Sequence, residues 1–256
     1  MAVTPYMFTL IKRIATRQTQ NPKRALAAGY PDFLITEQIL KKHVPGQIPM
    51  LEDSAKIIKW HGANWLQWIP DAEKLMAALG YSLTVIDLEQ HRGNEIICDL
   101  NDPQPQLERQ VDLVIDCGTC EHVFNAGQAM MTLAGALAVG GSIVQVMPMS
   151  VPNHGLWNAS PTLLWDFYDQ NNFKIEEVRG ITGPVYMQRL FEMSAFGRVP
   201  LPPSDCWLML LATRQDEEPI KIPQQRKYMA MGQDMARVEA EVKERHAPVK
   251  PDVAPA

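Results

Sequence analysis

The stretch Val111-Asp112-Leu113-Val114-Ile115-Asp116-Cys117-Gly118-Thr119 decides the fold of this 256-residue chain. Its first half is a nearly continuous apolar run, which is typical of a strand buried on both faces in the middle of a parallel sheet. An acidic residue and a glycine follow directly. The stretch therefore predicts a central strand whose carboxyl end opens into a tight turn.

The segments on either side of this strand alternate between strand and helix patterns. The predicted strands are 57–58, 83–86, 95–98, 111–115, 142–147, 173–178 and 206–213, and the helices are 36–43, 71–79, 126–138 and 161–171. No helix of ordinary length separates the last two strands, which predicts an antiparallel pair at one edge. The pattern predicts an α/β fold, a Rossmann-like seven-stranded mostly parallel sheet with helices on both faces.

Three regions are predicted along the chain: an N-terminal helical cap (1–54), the Rossmann-like domain (55–213), and a linker, polar helix and disordered tail (214–256). Apolar Phe8, Leu10 and Ile11 lie beside Lys12 and Arg13, which would suit a targeting helix. The flanking signals of a signal peptide are missing, which favours a helix that packs on the domain.

Composition excludes several classes of protein. The formal net charge of −5 argues against a general binder of nucleic acid or of anionic membranes. The longest apolar stretch, 133–149, is interrupted by Gly140-Gly141 and is shorter than a membrane span. Four scattered cysteines make no disulfide framework, which predicts a reducing, cytoplasmic setting.

Two acidic residues follow predicted strands at the edge where parallel α/β sheets bind ligands. Asp87 ends one strand and Asp99 ends the next, followed by Leu100. A carboxylate at Asp87 can accept hydrogen bonds from a ribose diol, and Asp99 with the Leu100 N–H can contact an adenine edge. The alternative for each is an ordinary turn or helix cap, since Asn101-Asp102-Pro103 is strong turn chemistry.

The block from Asp116 to Asn125, with the later Gly140-Gly141 and Val146-Met147-Pro148, resembles the class I S-adenosylmethionine-dependent methyltransferases. It resembles most the branch in which the fourth strand runs into Glu-His-Val. The resemblance covers residues 55–213. It implies S-adenosylmethionine as cofactor. The cofactor contacts that it implies are Asp87 at the ribose, Asp99 and Leu100 at the adenine, and Asp116, Cys117 and Gly118 near the methionine. Leu88, next to Asp87, is a further predicted cofactor contact.

One motif of that family is altered. A Gly-x-Gly-x-Gly loop is expected after the first strand, which we predict at 57–58, but the chain has Lys59-Trp60-His61-Gly62-Ala63-Asn64-Trp65. Only Gly62 remains as a cofactor-binding glycine. Two hypotheses follow: an active methyltransferase, or an inactive methyltransferase-like scaffold that works as a partner-binding or regulatory subunit. A nicotinamide oxidoreductase is weaker, since it needs Gly-x-Gly-x-x-Gly after the first strand.

Two histidines are candidates for catalysis, His122 beyond the fourth strand and His154 beyond the fifth. Transfer of a methyl group to a hydroxyl or amine needs alignment and a base, and the imidazole pKa suits that task. The alternatives are a capping or packing residue for His122 and a substrate wall or structural loop for His154.

We predict no metal site. Cys117-x-x-Cys120-x-His122 is half of a zinc motif, but a second half with matching spacing is missing. Some quinone-pathway methyltransferases that resemble this block bind a divalent ion through Glu, Glu and His, and Gly118 stands where the first Glu would be.

The acceptor implied is an oxygen or nitrogen of a small metabolite or sugar-like molecule, enclosed by the cap and the 149–161 loop. The polar C-terminal helix is predicted to contact a second copy of the chain or another protein.

Overall fold

A computed structural model describes residues 2–20, 22–198 and 205–247. The strands are β1 (Ala2–Val3), β2 (Lys23–Ala28), β3 (Asp32–Phe33), β4 (Tyr81–Asp87), β5 (Ile96–Ile97), β6 (Val111–Cys117), β7 (Leu137–Ser150), β8 (Phe173–Thr182), β9 (Arg189–Glu192) and β10 (Cys206–Arg214). The α-helices are α1 (Pro5–Arg17), α2 (Glu37–His43), α3 (Ser54–Trp60), α4 (Ala72–Ala78), α5 (Ala126–Ala136), α6 (Pro161–Gln170), α7 (Arg226–Met229) and α8 (Met235–His246).

Within these ranges eight strands form one sheet in the order β5-β4-β2-β6-β7-β10-β8-β9. The strands from β5 to β7 in that order run parallel to their neighbours. Strand β10 is antiparallel to both β7 and β8, and β9 is antiparallel to β8. The predicted α/β class and the antiparallel pairing of the last two predicted strands are confirmed; the sheet has eight strands instead of seven.

The prediction of a first strand at 57–58 is wrong. These residues lie in α3, and the strand that pairs with both β4 and β6 is β2, inside the region predicted as a helical cap. Two consecutive isoleucines do not distinguish a strand from a buried helix turn, and Ile58 is the buried one. Strand β2 begins with Lys23-Arg24 and is rich in alanine, a composition that favours helices in isolation.

The interpretation of the N-terminal apolar segment as a helix that packs on the domain is confirmed. Helix α1 is capped by the Thr4 side chain and buries Phe8 and Ile11 among other apolar residues. Its last residue, Arg17, makes a two-pronged ion pair with Glu176 of β8. The helix therefore lies against the sheet through both apolar packing and charge.

The sheet separates two apolar cores. Val114 packs in the core that contains α5 and α6, whereas Ile115 packs in the core that contains α1 and α4. This alternation follows from the period of two along a strand. Because β6 is buried on both faces, its continuous apolar sequence predicted its position correctly.

The polar helix predicted over 224–246 is two helices, α7 and α8, with Gly232 at φ +87° in the turn between them. Helix α8 packs on the domain through Val238 and Val242, while Arg237 and Glu241 remain exposed. Its use as a contact for a partner stays a prediction. The tail predicted to be disordered comprises residues 247–256, and all of it except Ala247 lies outside the described residues. No helix in the described ranges is long and apolar enough to cross a membrane.

Candidate functional site

A cavity of about 1200 Å³ lies at the carboxyl ends of the parallel strands. Strand order reverses between β2 and β6, since the chain continues from β2 to β4 and β5 on one side and later from β6 to β7 on the other. Ligands of open α/β sheets bind in the crevice at such a switch point. The cavity is lined by residues at the carboxyl ends of four strands and by residues 49–53, 56 and 57.

The loop predicted at 59–65, after the first strand, lies instead after β2, which pairs with both β4 and β6. It reads Gly29-Tyr30-Pro31-Asp32, and Gly29 has φ +75° and donates its N–H to the Ile86 carbonyl at 2.8 Å. Glycine alone adopts such a backbone at little cost. On the other side of β2, the Thr119 hydroxyl donates to the Ala28 carbonyl at 2.6 Å. The ends of three neighbouring strands are therefore fixed to one another.

Four predicted cofactor contacts lie together on this cavity. Asp87 is the last residue of β4 and Leu88 follows it, while Asp99 and Leu100 follow β5. One Asp87 oxygen accepts from the Leu88 N–H at 2.8 Å, and one Asp99 oxygen accepts from the backbone and side-chain nitrogens of Asn101. Both carboxylates thus have a fixed orientation at the rim.

The remaining predicted contacts are divided. Gly118 lines the cavity with φ +110°. Asp116 and Cys117 are buried beneath it; Asp116 accepts hydrogen bonds from the Thr119 N–H and from the Gln145 side chain. Asp116 therefore positions the turn after β6 from below. Gly62 follows the last turn of α3, after the capping residue His61, and is not among the residues that line the cavity.

A charged network missed in the sequence lies beside the turn after β2. The Asp32 carboxylate is buried, 2.9 Å from His61 Nε2, and it also binds the Arg92 guanidinium. Burial alone would raise the pKa of Asp32, but the hydrogen bonds from His61 and Arg92 outweigh it and lower that pKa. The Arg92 guanidinium also stacks over the Tyr30 ring, 3.8 Å from its centroid. This network joins α3 and the loop after β4 to the floor of the cavity.

The two predicted catalytic histidines are brought together by the fold, and a third group lies between them and the core. The rings of His122 and His154 are 5.2 Å apart, and His122 lines the cavity. Nε2 of His154 is 3.5 Å from Glu121 Oε1, and Nε2 of His122 is 4.0 Å from the same oxygen. We call Glu121, His122 and His154 the carboxylate–histidine cluster.

The electrostatics of this cluster follow from burial. Glu121 is fully buried, which together with the charge of Asp116 raises its pKa to about 8. Burial and the neighbouring His122 lower the pKa of His154. His154 also packs edge-on against Trp207 of β10 at 4.7 Å. In the loop that carries His154, the Trp157 indole N–H donates to the Val123 and Phe124 carbonyls.

The Cys-x-x-Cys half motif is not assembled as a ligand pair. Cys117 packs in the core with α1, whereas Cys120 packs in the core with α5, on the other face of the sheet. All four cysteines lie in the described part of the chain, and no disulfide forms there. Burial raises the pKa of both thiols, which disfavours the thiolate form that binds metals.

No protein-family model and no curated protein matches the chain. The solved structures that match include a 1,6-didemethyltoxoflavin N1-methyltransferase from Burkholderia thailandensis with 1,6-didemethyltoxoflavin and S-adenosylhomocysteine bound (14% identity, 80% of this chain, 76% of that chain, TM-score 0.41). Another is an S-adenosylmethionine-dependent O-methyltransferase from Thermotoga maritima (14% identity, 84% of this chain, 67% of that chain, TM-score 0.36). A third is a chain from the complex of the Haloferax volcanii Trm112 methyltransferase activator with a putative methyltransferase (9% identity, 80% of this chain, 89% of that chain, TM-score 0.40).

Proposed function

We propose that the chain is an S-adenosylmethionine-dependent methyltransferase that acts on an oxygen or nitrogen of a small-molecule acceptor. The observation that carries the proposal is the placement of Asp87, Asp99 and Gly118 on one cavity at the switch point of the sheet. Each lies at the carboxyl end of a different strand, and together they offer the groups that a nucleoside with a charged tail requires.

In this proposal Asp87 accepts hydrogen bonds from the ribose diol, and Asp99 and Leu100 contact the adenine. Hydrogen bonds to a charged group contribute about 1.5–3 kcal/mol each. Gly118 has no side chain, so the methionine part of the cofactor can approach its backbone closely. Its positive φ would in addition strain any other residue at this position. A Cβ at this position would also lie 3.2 Å from Glu121 Oε1.

The size of the cavity supports a second, smaller ligand. Its volume of about 1200 Å³ exceeds the upper end of the range usual for one drug-sized ligand, about 1,000 Å³. Residues 49–53, 56 and 57 also line the cavity together with Trp60, and Trp60 exposes 83% of its surface. An exposed aromatic ring beside a cavity suits an acceptor that is held by stacking.

The carboxylate–histidine cluster activates the acceptor in this proposal. Methyl transfer from a sulfonium is a direct displacement, so the acceptor must be aligned and must lose a proton if it is a hydroxyl or amine. His122 and Gly118 both line the cavity in which the methyl group would be presented, and the His154 ring lies 5.2 Å from the His122 ring, centroid to centroid.

The test is a calorimetric titration of the full chain with S-adenosylhomocysteine. Three proteins are compared: wild type, Asp87→Asn, and Asp102→Asn as a control whose carboxylate is exposed and outside the cavity lining. We expect micromolar binding by wild type and by the control, and binding at least tenfold weaker by Asp87→Asn. Equal binding by Asp87→Asn would overturn the ribose assignment.

The same titration decides between the enzyme and the scaffold hypothesis. A wild-type protein that melts cooperatively but binds no S-adenosylhomocysteine even at millimolar ligand would contradict the methyltransferase proposal. That result would favour the inactive scaffold.

A further inference from the structure

The Glu121 carboxylate is fully buried, and within the described residues neither of its oxygens has a hydrogen-bond partner. Burying a carboxylate without partners is costly, and buried carboxylates are normally paired, hydrogen-bonded or bound to a metal ion. The imidazole nitrogens of His122 and His154 lie within 4.0 Å of one of its oxygens. The carboxylate therefore points toward two ligands of the kind that transition metals prefer.

The distances fit a shared ion better than hydrogen bonds. Glu121 Oε1 is 3.5 Å from His154 Nε2 and 4.0 Å from His122 Nε2, which is beyond the usual N–H···O range of about 2.7–3.2 Å. One ligand atom from each residue lies within 4.8 Å of the other two. Ligands about 2.0–2.2 Å from one ion are separated by roughly 3–4 Å, so small side-chain adjustments bring all three onto it.

We propose that Glu121, His122 and His154 bind one divalent first-row transition-metal ion on the wall of the cavity. Two imidazoles and one carboxylate suit ions such as Zn²⁺, Co²⁺ or Fe²⁺ and not the hard ions Mg²⁺ and Ca²⁺. This departs from the sequence expectation of no metal. No metal was expected because the Cys117–Cys120 pair lacks a second half and because position 118 is a glycine where a Glu would be needed. In the structure His154, from the loop after β7, supplies the third ligand instead.

Three protein ligands leave coordination positions open, as in catalytic metal sites. Because His122 lines the cavity, an acceptor hydroxyl could take an open position on the bound ion, which would lower the pKa of the hydroxyl and let it release its proton to solvent. This chemical use rests on the proposed function, whereas binding of the ion does not. The acceptor class that fits is a hydroxyl compound able to coordinate a metal.

Titration of the metal-stripped full chain with Co²⁺ tests the inference, with the d–d absorption of the bound ion as the readout. The variants are Glu121→Gln and His154→Gln, and the control is His91→Gln, which removes an exposed cavity imidazole outside the cluster. We expect one Co²⁺ per chain in wild type and control, no thiolate charge-transfer band, and displacement by Zn²⁺. Both cluster variants should bind at least tenfold more weakly.

Several results would overturn the inference. One is the absence of stoichiometric Co²⁺ binding by folded wild type. Another is a Co²⁺ affinity of Glu121→Gln equal to that of wild type. The third is a thiolate charge-transfer band, which would show that cysteines are the ligands. His154→Gln changes a partly exposed residue, so it separates loss of a ligand from loss of the fold. Titrating the same samples with S-adenosylhomocysteine separates the two proposals, because Co²⁺ binding without cofactor binding would leave the metal site standing.

Discussion

The backbone N–H of Leu156 donates to the carbonyl oxygen of Glu121 at 2.8 Å. This bond joins the loop after β7 to the turn after β6, two segments far apart in sequence. It explains how His154 comes to stand beside Glu121. Gly155, which lies between His154 and Leu156 in the chain, is in close contact with Glu121. A Cβ on it would be 2.8 Å from Glu121 Cγ and 2.9 Å from the Glu121 carbonyl oxygen.

Replacing Gly155 by alanine should therefore disturb the carboxylate–histidine cluster. Since backbone is among the contacted atoms, the loop itself must move, and His154 moves with it. We expect Gly155→Ala to lower Co²⁺ affinity at least tenfold while the melting temperature changes little, because residues 152–154 are exposed. Co²⁺ titration and thermal melts measure the two effects.

The matched control is Gly127→Ala in α5, where a Cβ meets no atom within 4 Å. Alanine is favoured over glycine in a helix by about 1 kcal/mol, so this variant should keep its metal affinity and become slightly more stable. Wild-type affinity in Gly155→Ala would show that the loop does not set the cluster.

The strand ends and their acidic residues could be predicted because the signal is local. Buried parallel strands are apolar throughout, as β6 is, and the residue that follows each strand lies at the ligand-binding edge of the sheet. Asp87 and Asp99 were found in this way. The same rule places His122 and His154 beyond neighbouring strands, whereas the contact between their rings is seen only in the structure.

The central strand β2 was missed because its sequence is not the one that its position usually requires. Its alanines favour helix in isolation, and only pairing with β4 and β6 makes it a strand. With β2 missed, the glycine turn was sought at Gly62 instead of Gly29. The burial of Glu121 had no signal in the sequence, because it depends on the loop around Gly155 folding over it.

Asp32 should be a structural centre of the cavity floor. It accepts from His61 and Arg92, so Asp32→Asn leaves a largely buried guanidinium without its carboxylate. Removing one partner of a buried ion pair costs about 3–5 kcal/mol, and we expect a loss near 3 kcal/mol in the free energy of unfolding at pH 7, measured by urea denaturation.

The pH dependence of that loss has a definite sign. Because the folded-state pKa of Asp32 is lowered, its contribution is present above the ordinary carboxyl pKa and disappears as the pH falls through the lowered value. The gap between wild type and Asp32→Asn should therefore narrow in acid. A gap that stays constant down to acid pH would refute the ion-pair explanation, and the exposed Asp102→Asn substitution should show no gap.

Glu239 of α8 should hold the C-terminal helix on the domain. Its carboxylate accepts from the backbone N–H groups of Ala195 and Phe196 and from the Ser194 hydroxyl. Burial alone would raise its pKa, but these bonds and the Lys243 ammonium lower it from 4.5 to about 2. We expect Glu239→Gln to lower the free energy of unfolding at pH 7 by about 1.5–3 kcal/mol.

Since the folded-state pKa of Glu239 is lowered, the difference between wild type and variant should be full above pH 4.5 and should fade toward pH 2. Urea denaturation at a series of pH values measures it. Glu241→Gln on the same helix is the control, because its ion pair with Arg237 is exposed and should contribute little. An equal loss in both variants would argue against the backbone contacts.

Gly180 of β8 lies beneath the ring of Phe191 on the paired edge strand β9. A Cβ at position 180 would be 2.3 Å from Phe191 Cζ, so the ring must leave its place or β9 must separate. Overpacking of this kind costs about 1–3 kcal/mol. We expect Gly180→Ala to lower the free energy of unfolding by that amount and to speed amide exchange in β9.

A smaller side chain opposite the new methyl group should remove the conflict. Adding Phe191→Leu to Gly180→Ala should restore part of the lost stability, so that the two substitutions together cost less than the sum of their separate effects. Urea denaturation of the four proteins gives this coupling directly. Strictly additive effects would mean that the new methyl group and the Phe191 side chain do not interact, and would contradict the overpacking explanation.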